Sequence, residues 1–179
     1  MKAFLMFLLI VPALFFGGTT ISYSQTDSIV KPVALYLELG GNALVYSVNM
    51  DYSFPFFDNN LLAFRAGFSF LNNYRDNGMN TSTFPLEFTG LIHLADNESY
   101  FEIGPGITFM NLDEIRRDHK EQLRYFSFRA GYRYQKRDGG LVFRAGFMRL
   151  YDYYSSNPDR YTKYHTWKTM LGISLGVAI

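Results

Sequence analysis

Histidine at 93, 119 and 165 supplies the only imidazoles of the chain, and there is no cysteine. Structural and catalytic metal sites are built from closely spaced His, Cys and carboxylate ligands. None of the three histidines has a neighbour at such a spacing, so neither a metal nor a cofactor is expected. Asp152, Ser155 and His165 are the residue types of a nucleophilic triad, but a triad is defined by mutual geometry that spacing does not supply. No catalytic residue is therefore assigned. The ionic residues that recur between apolar ones are more informative. Glu38, Asp51, Glu87 and Glu102 set against Arg65, Arg129, Arg133, Arg144 and Lys168 have the types and near balance of an ion-pair network.

These charges are positioned by elements of period two. Eight alternating segments are predicted, at 33–41, 44–54, 61–71, 84–94, 99–110, 123–135, 140–150 and 166–178. Most are about as long as a tilted strand must be to cross a bilayer. One face collects Leu35, Leu37, Leu39, Phe64, Phe68, Phe101, Phe128, Phe143, Phe147, Ile173 and Leu175 and their equivalents. The other collects the nine charged residues with Gly40, Gly67, Gly104, Gly131, Gly146 and Gly172. Volume decides which face is inside: an eight-stranded barrel has an interior that side chains just fill, and several aromatic residues per strand would overfill it. The glycines and paired charges fit the small lumen, with Asp51 expected beside Arg65, and the apolar face points into lipid. In lipid an extended chain satisfies its backbone only by closing.

Composition agrees. The chain has 179 residues, 18 Phe and 14 Tyr, and 17 Lys+Arg against 16 Asp+Glu for a formal charge of +1. One domain is expected, without the basic footprint that nucleic acid needs. Residues 1–24 read as a cleaved signal peptide, with Lys2, the apolar run Ala3 to Phe16 and small residues before Gln25. Residues 25–32 form a flexible lead-in and 33–179 the barrel. The gaps at 55–60, 95–98 and 136–139 are short and those at 72–83, 111–122 and 151–165 long, the pattern of periplasmic turns against extracellular loops with both termini periplasmic. Phe54, Phe56, Phe57, Tyr100, Phe101 and Tyr134 are then expected at one rim and Phe70, Tyr74, Phe84, Phe109, Phe126, Tyr151, Tyr164 and Trp167 at the other. A short helix is expected in the charged stretch 111–122, and a bulge or bend at Pro105.

Short patterns repeat. Phe64-Arg65-Ala66-Gly67-Phe68 returns as Phe128-Arg129-Ala130-Gly131-Tyr132 and Phe143-Arg144-Ala145-Gly146-Phe147, and Leu37-Glu38-Leu39-Gly40 as Phe101-Glu102-Ile103-Gly104. With these features and the closing Gly172–Ile179 strand, the chain resembles the small eight-stranded outer-membrane barrels, such as the transmembrane domain of outer membrane protein A and outer membrane protein X, and the short exported barrels of Bacteroidota.

That resemblance implies an all-β, antiparallel, up-and-down transmembrane barrel of the outer membrane. It implies contact with outer-membrane lipid and lipopolysaccharide, assembly by the barrel-assembly machinery, a monomeric state and a structural or surface-interaction role. Tyr151, Tyr153, Tyr154, Tyr161 and Tyr164, among Ser, Asn and Asp, have the composition of a binding loop and also that of an interfacial girdle. Three alternatives stay open: a lipid A deacylase or acyltransferase of the eight-stranded type, a small-solute pore, and a soluble lipocalin-like carrier with its apolar face inward.

Overall fold

The computed structural model describes residues 30–57, 59–74, 79–94, 98–114, 119–155 and 167–179. The expected signal peptide at 1–24 and residues 25–29 of the expected lead-in lie outside the described residues. The chain is a closed, all-β, up-and-down barrel of eight strands in sequence order. They are β1 (Val33–Gly40), β2 (Tyr46–Pro55), β3 (Leu61–Tyr74), β4 (Met79–His93), β5 (Ser99–Glu114), β6 (His119–Gln135), β7 (Gly140–Ser155) and β8 (Trp167–Ala178). Every neighbouring pair is antiparallel, and β1 closes on β8 through Ala34↔Ala178 to Gly40↔Gly172. Closure leaves no free edge along the shared height of the strands, which is what a spanning sheet requires.

The sidedness follows the alternation. Phe64 and Phe128 are 47% and 42% exposed on the outer wall, while Arg65, Arg129 and Arg144 are buried inside. The outer apolar row of β3 runs from Leu62 to Phe70 and stops at Asn72. On β5 it runs from Phe101 to Phe109 and stops at Asn111. Nine residues of tilted strand match the apolar band of a transmembrane barrel. Tyr100, expected in the rim of outward rings, instead points inward and is fully buried with Leu61, Ala63 and Leu91. Its neighbour Phe101 takes the outward position, because adjacent residues of a strand face opposite ways.

Five strands run well beyond the predicted limits, all at the end away from the termini, here called distal. β3 reaches Tyr74, β5 Glu114 and β7 Ser155, while β4 starts at Met79 and β6 at His119. The described parts of 72–83 and 111–122 are thus strand, with Asp113↔Lys120 in register across β5 and β6 rather than in a helix. The reason is a change of phase. Past the band, the outer residues become Asn80, Ser82, Asn111, Gln122 and Lys120, and the inner ones become Met110, Leu112, Leu123 and Tyr125. The strands continue while the apolar side switches from the outer wall to the inner.

At Pro105 no register shift occurs, because Glu87↔Gly106 and Gly90↔Ile103 keep one register across the interruption. The ladder merely lapses opposite Phe88 and Thr89, where Pro105 has no N–H to give. There Gly104 permits a close approach: a Cβ on it would stand 2.1 Å from the Phe88 carbonyl oxygen. The register shifts that do occur are between Leu71 and Tyr74 and between Arg124 and Tyr125.

The β1–β2 hairpin is the low point of the distal rim. The β1–β8 ladder ends at Gly40↔Gly172 although β8 begins at Trp167, and the β2–β3 ladder ends at Val48↔Phe68 although β3 runs to Tyr74. The connecting 3-10 turn, Gly41–Ala43, folds into the lumen and is buried. Gly40 and Gly41 reverse the chain at φ +71°, a region open to glycine. Leu44 follows at φ 72°, which is strained for a residue with a Cβ.

Candidate functional site

The chemistry of the molecule is concentrated in a ring of ionised side chains across the middle of the lumen. Glu38, Asp51, Arg65, Glu87, Glu102, Arg129, Arg133 and Arg144 are each no more than 2% exposed. Arg65 bridges two carboxylates, Glu38 and Glu87, the second through Nη1 at 2.8 Å. Arg129 bridges the same two, with Nη2 2.5 Å from Glu38 Oε1 and Nε 3.1 Å from Glu87 Oε2. Arg144 pairs with Glu102, donating from Nε at 2.8 Å and also from Nη2. Arg133 grips Asp51 bidentately, at 2.6 and 3.0 Å. Four guanidinium groups meet four carboxylates, which makes the ring neutral and satisfies the requirement that buried charges be paired and hydrogen-bonded.

The repeated pentads now have a physical meaning. Their three arginines, Arg65, Arg129 and Arg144, converge on the glutamates of the two tetrads, Glu38 and Glu102, and on Glu87. Each pentad carries a glycine two residues after its arginine, on the same inner wall. A Cβ at Gly67 would stand 2.1 Å from Asn49 Oδ1, the atom that accepts from Arg65 Nε at 3.1 Å and Nη2 at 2.7 Å. Gly131 and Gly146 face each other across the β6–β7 ladder. A Cβ on either would press on the opposite backbone at 2.6 and 2.8 Å. Gly67 leaves the room that Asn49 and Arg65 occupy, and Gly131 and Gly146 let β6 and β7 approach closely.

Asp51 lies beside Arg65 as expected, its direct cross-strand partner in register, but the two do not form an ion pair. Arg65 turns to Glu38 and Glu87, and Asp51 reaches across the lumen to Arg133. In so narrow a tube the far wall is as near as the adjacent strand, and each arginine goes where two acceptors converge. One expectation is corrected: Lys168 is not in the network. It has inward register opposite Leu150, yet it is exposed at the distal rim, above the buried layer. Its absence leaves the ring balanced.

The ring also recruits residues that the sequence reading did not single out. Tyr36 lies between two guanidinium groups, 5.4 Å from Arg65 and 4.8 Å from Arg144 by ring centroid. Its hydroxyl donates to Asp51 Oδ2 at 3.1 Å and accepts from Arg144. Gln135 Oε1 accepts from Arg133 Nε at 2.9 Å, and its amide donates to the Lys31 carbonyl at 2.9 Å. Asn42, carried inward by the β1–β2 turn, donates to Glu87 and to Ser127 Oγ at 3.1 Å. Strand parity alone places Tyr36 with Glu38, Asn49 with Asp51 and Gln135 with Arg133. Nothing local to Asn42 signals its role.

Apolar layers close the ring from both sides. Toward the termini lie Ala34, Tyr36, Val142 and Ala178, and beside them Leu61, Ala63, Leu91 and Tyr100. Toward the distal mouth Met110, Leu112, Leu123 and Tyr125 cluster, with Leu44 packed against them. The proposed surface tyrosines divide. The Tyr151 ring lies 5.1 Å from that of Trp167, on the distal girdle. Tyr153 and Tyr154 belong to the backbone of β7, and Tyr161 and Tyr164 lie outside the described residues. Of the triad candidates, Asp152 is buried on the inner wall and His165 lies outside the described residues. His93 stacks edge-on against Tyr100 at 5.8 Å. Among the described residues, no three His, Asp or Glu side chains converge as a metal site.

No family model and no curated protein matches the chain. Among solved structures it is similar to the N-terminal β-barrel domain of Pseudomonas aeruginosa OprF. The identity is 12%, over 81% of this chain and 93% of that one, with a TM-score of 0.49.

Proposed function

We propose that this chain is an integral outer-membrane barrel, exported by its leader and monomeric, that acts as a structural or surface-interaction protein and neither conducts solutes nor catalyses a reaction. The observation that carries the reading is the sorting of charge by wall. Eight ionised groups face the axis, while a nine-residue band of aromatic and aliphatic side chains faces outward on a closed ladder. A water-soluble carrier would carry the opposite arrangement at its waist. The paired ring and the apolar layers on either side of it favour a plugged lumen over a pore, as the eight-stranded cross-section already does. The distal hairpins rise past the band with Asn, Asp and Lys outward, which supports an orientation with these hairpins outside the cell and the termini in the periplasm. Lipid and lipopolysaccharide are then the neighbours of the outer wall, and β8 is the strand presented to the barrel-assembly machinery.

The test is a pair of measurements on the expressed protein. Heat-modifiable migration and recovery in the outer-membrane fraction are expected, and planar bilayers holding the purified protein are expected to show no discrete current steps. Recovery in the periplasm or the medium overturns the membrane reading. Stepwise conductance overturns the plugged lumen.

A further inference from the structure

Among the described residues, five buried polar atoms without a hydrogen-bond partner gather on one side of the lumen, above the ion ring. They are Asn42 Oδ1, Ser69 Oγ, Thr81 Oγ1, Thr83 Oγ1 and Thr108 Oγ1. None of the five residues is more than 4% exposed. The strand registers put the four hydroxyls close together. Ser69 faces Thr83 directly across β3 and β4, and the two make no bond to each other. Thr83 faces Met110 across β4 and β5, so Thr108 is its diagonal neighbour on the inner wall. Thr81 follows two residues further up β4. Direct and diagonal neighbours on one face of a sheet have Cβ atoms about 5 to 7 Å apart, a spacing that one small molecule bridges.

Asn42 reaches the same part of the lumen from the β1–β2 turn. Its Nδ2 is spent on Glu87 and on Ser127 Oγ. Both of these residues stand in register with Gly106, two residues below Thr108 on β5. The bond to a carboxylate fixes which end of the amide is which, and the carbonyl oxygen is left with its lone pairs unused. A buried polar group without a partner destabilises the fold, and folded proteins keep few of them. Five together point to a ligand, and the surroundings specify it. The ring below is neutral, with four guanidinium groups on four carboxylates, so a bound ion would add a charge that nothing balances. Above, Met110, Leu112, Leu123 and Tyr125 close the tube with Leu44, and Met148 and Leu150 of β7 are buried apolar groups of the inner wall. The ligand is therefore neutral, able both to donate and to accept, and small enough to be enclosed.

We infer that this layer is an enclosed hydration site, in which waters held by Ser69, Thr81, Thr83 and Thr108 tie the Asn42 carbonyl, and with it the inturned β1–β2 turn, to the β3–β5 wall. At about three hydrogen bonds per buried water, about two waters serve the five oxygen atoms. The inference depends on the closed tube alone and goes beyond the function proposed above.

The experiment is oxygen-17 magnetic relaxation dispersion of water on the purified protein in neutral detergent, which counts internal waters that exchange slowly with bulk, together with urea unfolding of the same samples. T83V/T108V removes two hydroxyls at nearly constant shape. It is expected to lose about one slowly exchanging water and to raise the unfolding equilibrium constant about fivefold or more, because each bridged hydroxyl gives up its bonds. T83S/T108S keeps the hydroxyls and is expected to keep the wild-type water count. Heat-modifiable migration identifies the folded variants, and if the double valine variant does not fold, T83V and T108V singly carry the comparison. An unchanged water count in a folded valine variant overturns the inference. So does a valine variant at least as stable as the wild type, the mark of hydroxyls that are buried dry. A wild type without slowly exchanging water overturns the enclosure, and stability that changes when choline replaces sodium and potassium overturns the choice of water over a cation.

Discussion

The waist and the distal mouth fill the same tube by opposite means. At the waist, the inner wall holds four arginines and four carboxylates with Tyr36 among them. Along β5 the inner row then passes from Glu102 through Gly104, Gly106 and Thr108 to Met110 and Leu112. Along β6 it passes from Arg133 and Arg129 through Ser127 to Tyr125 and Leu123. Ions demand complete and directional pairing, because a lost partner leaves a buried charge. Hydrocarbon demands only volume. The waist sits at the height of the outer apolar band and the mouth above it. The wall is therefore apolar outside where it is ionic inside, and polar outside where it is apolar inside. At these two heights the hydrocarbon lies on one wall only.

The largest expected effect tests the waist. Arg65→Ala leaves Glu38 and Glu87 to share Arg129 and the ring with one uncompensated negative charge, and should cost about 3–5 kcal/mol, read from urea unfolding in liposomes, with no current steps appearing in planar bilayers. A loss too small to measure would mean that the ring is cosmetic. At the mouth, Leu123→Ala should cost about 2 kcal/mol, the low end for a buried leucine, because the layer opens on the rim and can collapse. The same unfolding assay checks it, and a loss equal to that of Arg65→Ala would erase the contrast drawn here.

A sharper measurement replaces one whole ion pair. Asp51→Leu with Arg133→Met should fall within about 1 kcal/mol of the wild type, although either single substitution costs several times more. Tyr36 keeps Arg144 and Gln135 keeps the Lys31 carbonyl in the double variant. A double as unstable as its singles would show that the ring acts as one unit rather than as pairs. The smallest effect is at the seam of the two regions. Leu44→Gly relieves a positive φ worth about 1 kcal/mol while removing the contact with the mouth cluster. The net change should be under about 1 kcal/mol, and a large loss in the melting curve would make Leu44 a principal anchor of the layer.

Much of this was legible from alternation. The eight strands, their order and the sidedness of Phe64, Phe128 and Arg144 follow from period two and the capacity of a narrow tube. The distal thirds of β4 and β6 were not, because period two persists there with its phase reversed. Leu112 looks like a loop residue when the outer wall is assumed to stay apolar. The partners inside the ring were beyond local reading. Asp51 faces Arg65 in register and still binds Arg133, since side chains in so narrow a lumen choose among all eight walls at once.

By itself the sequence determined the class of the barrel, the number of its strands and which residues line its two walls, because alternation and steric capacity act locally. Only the tertiary structure decided who pairs with whom across the axis, how far the strands rise past the band, and that the Gly41–Leu44 turn folds inward to give Asn42 to Glu87. Those outcomes depend on shear, closure and competition among acceptors, which are properties of the closed tube and of no single strand.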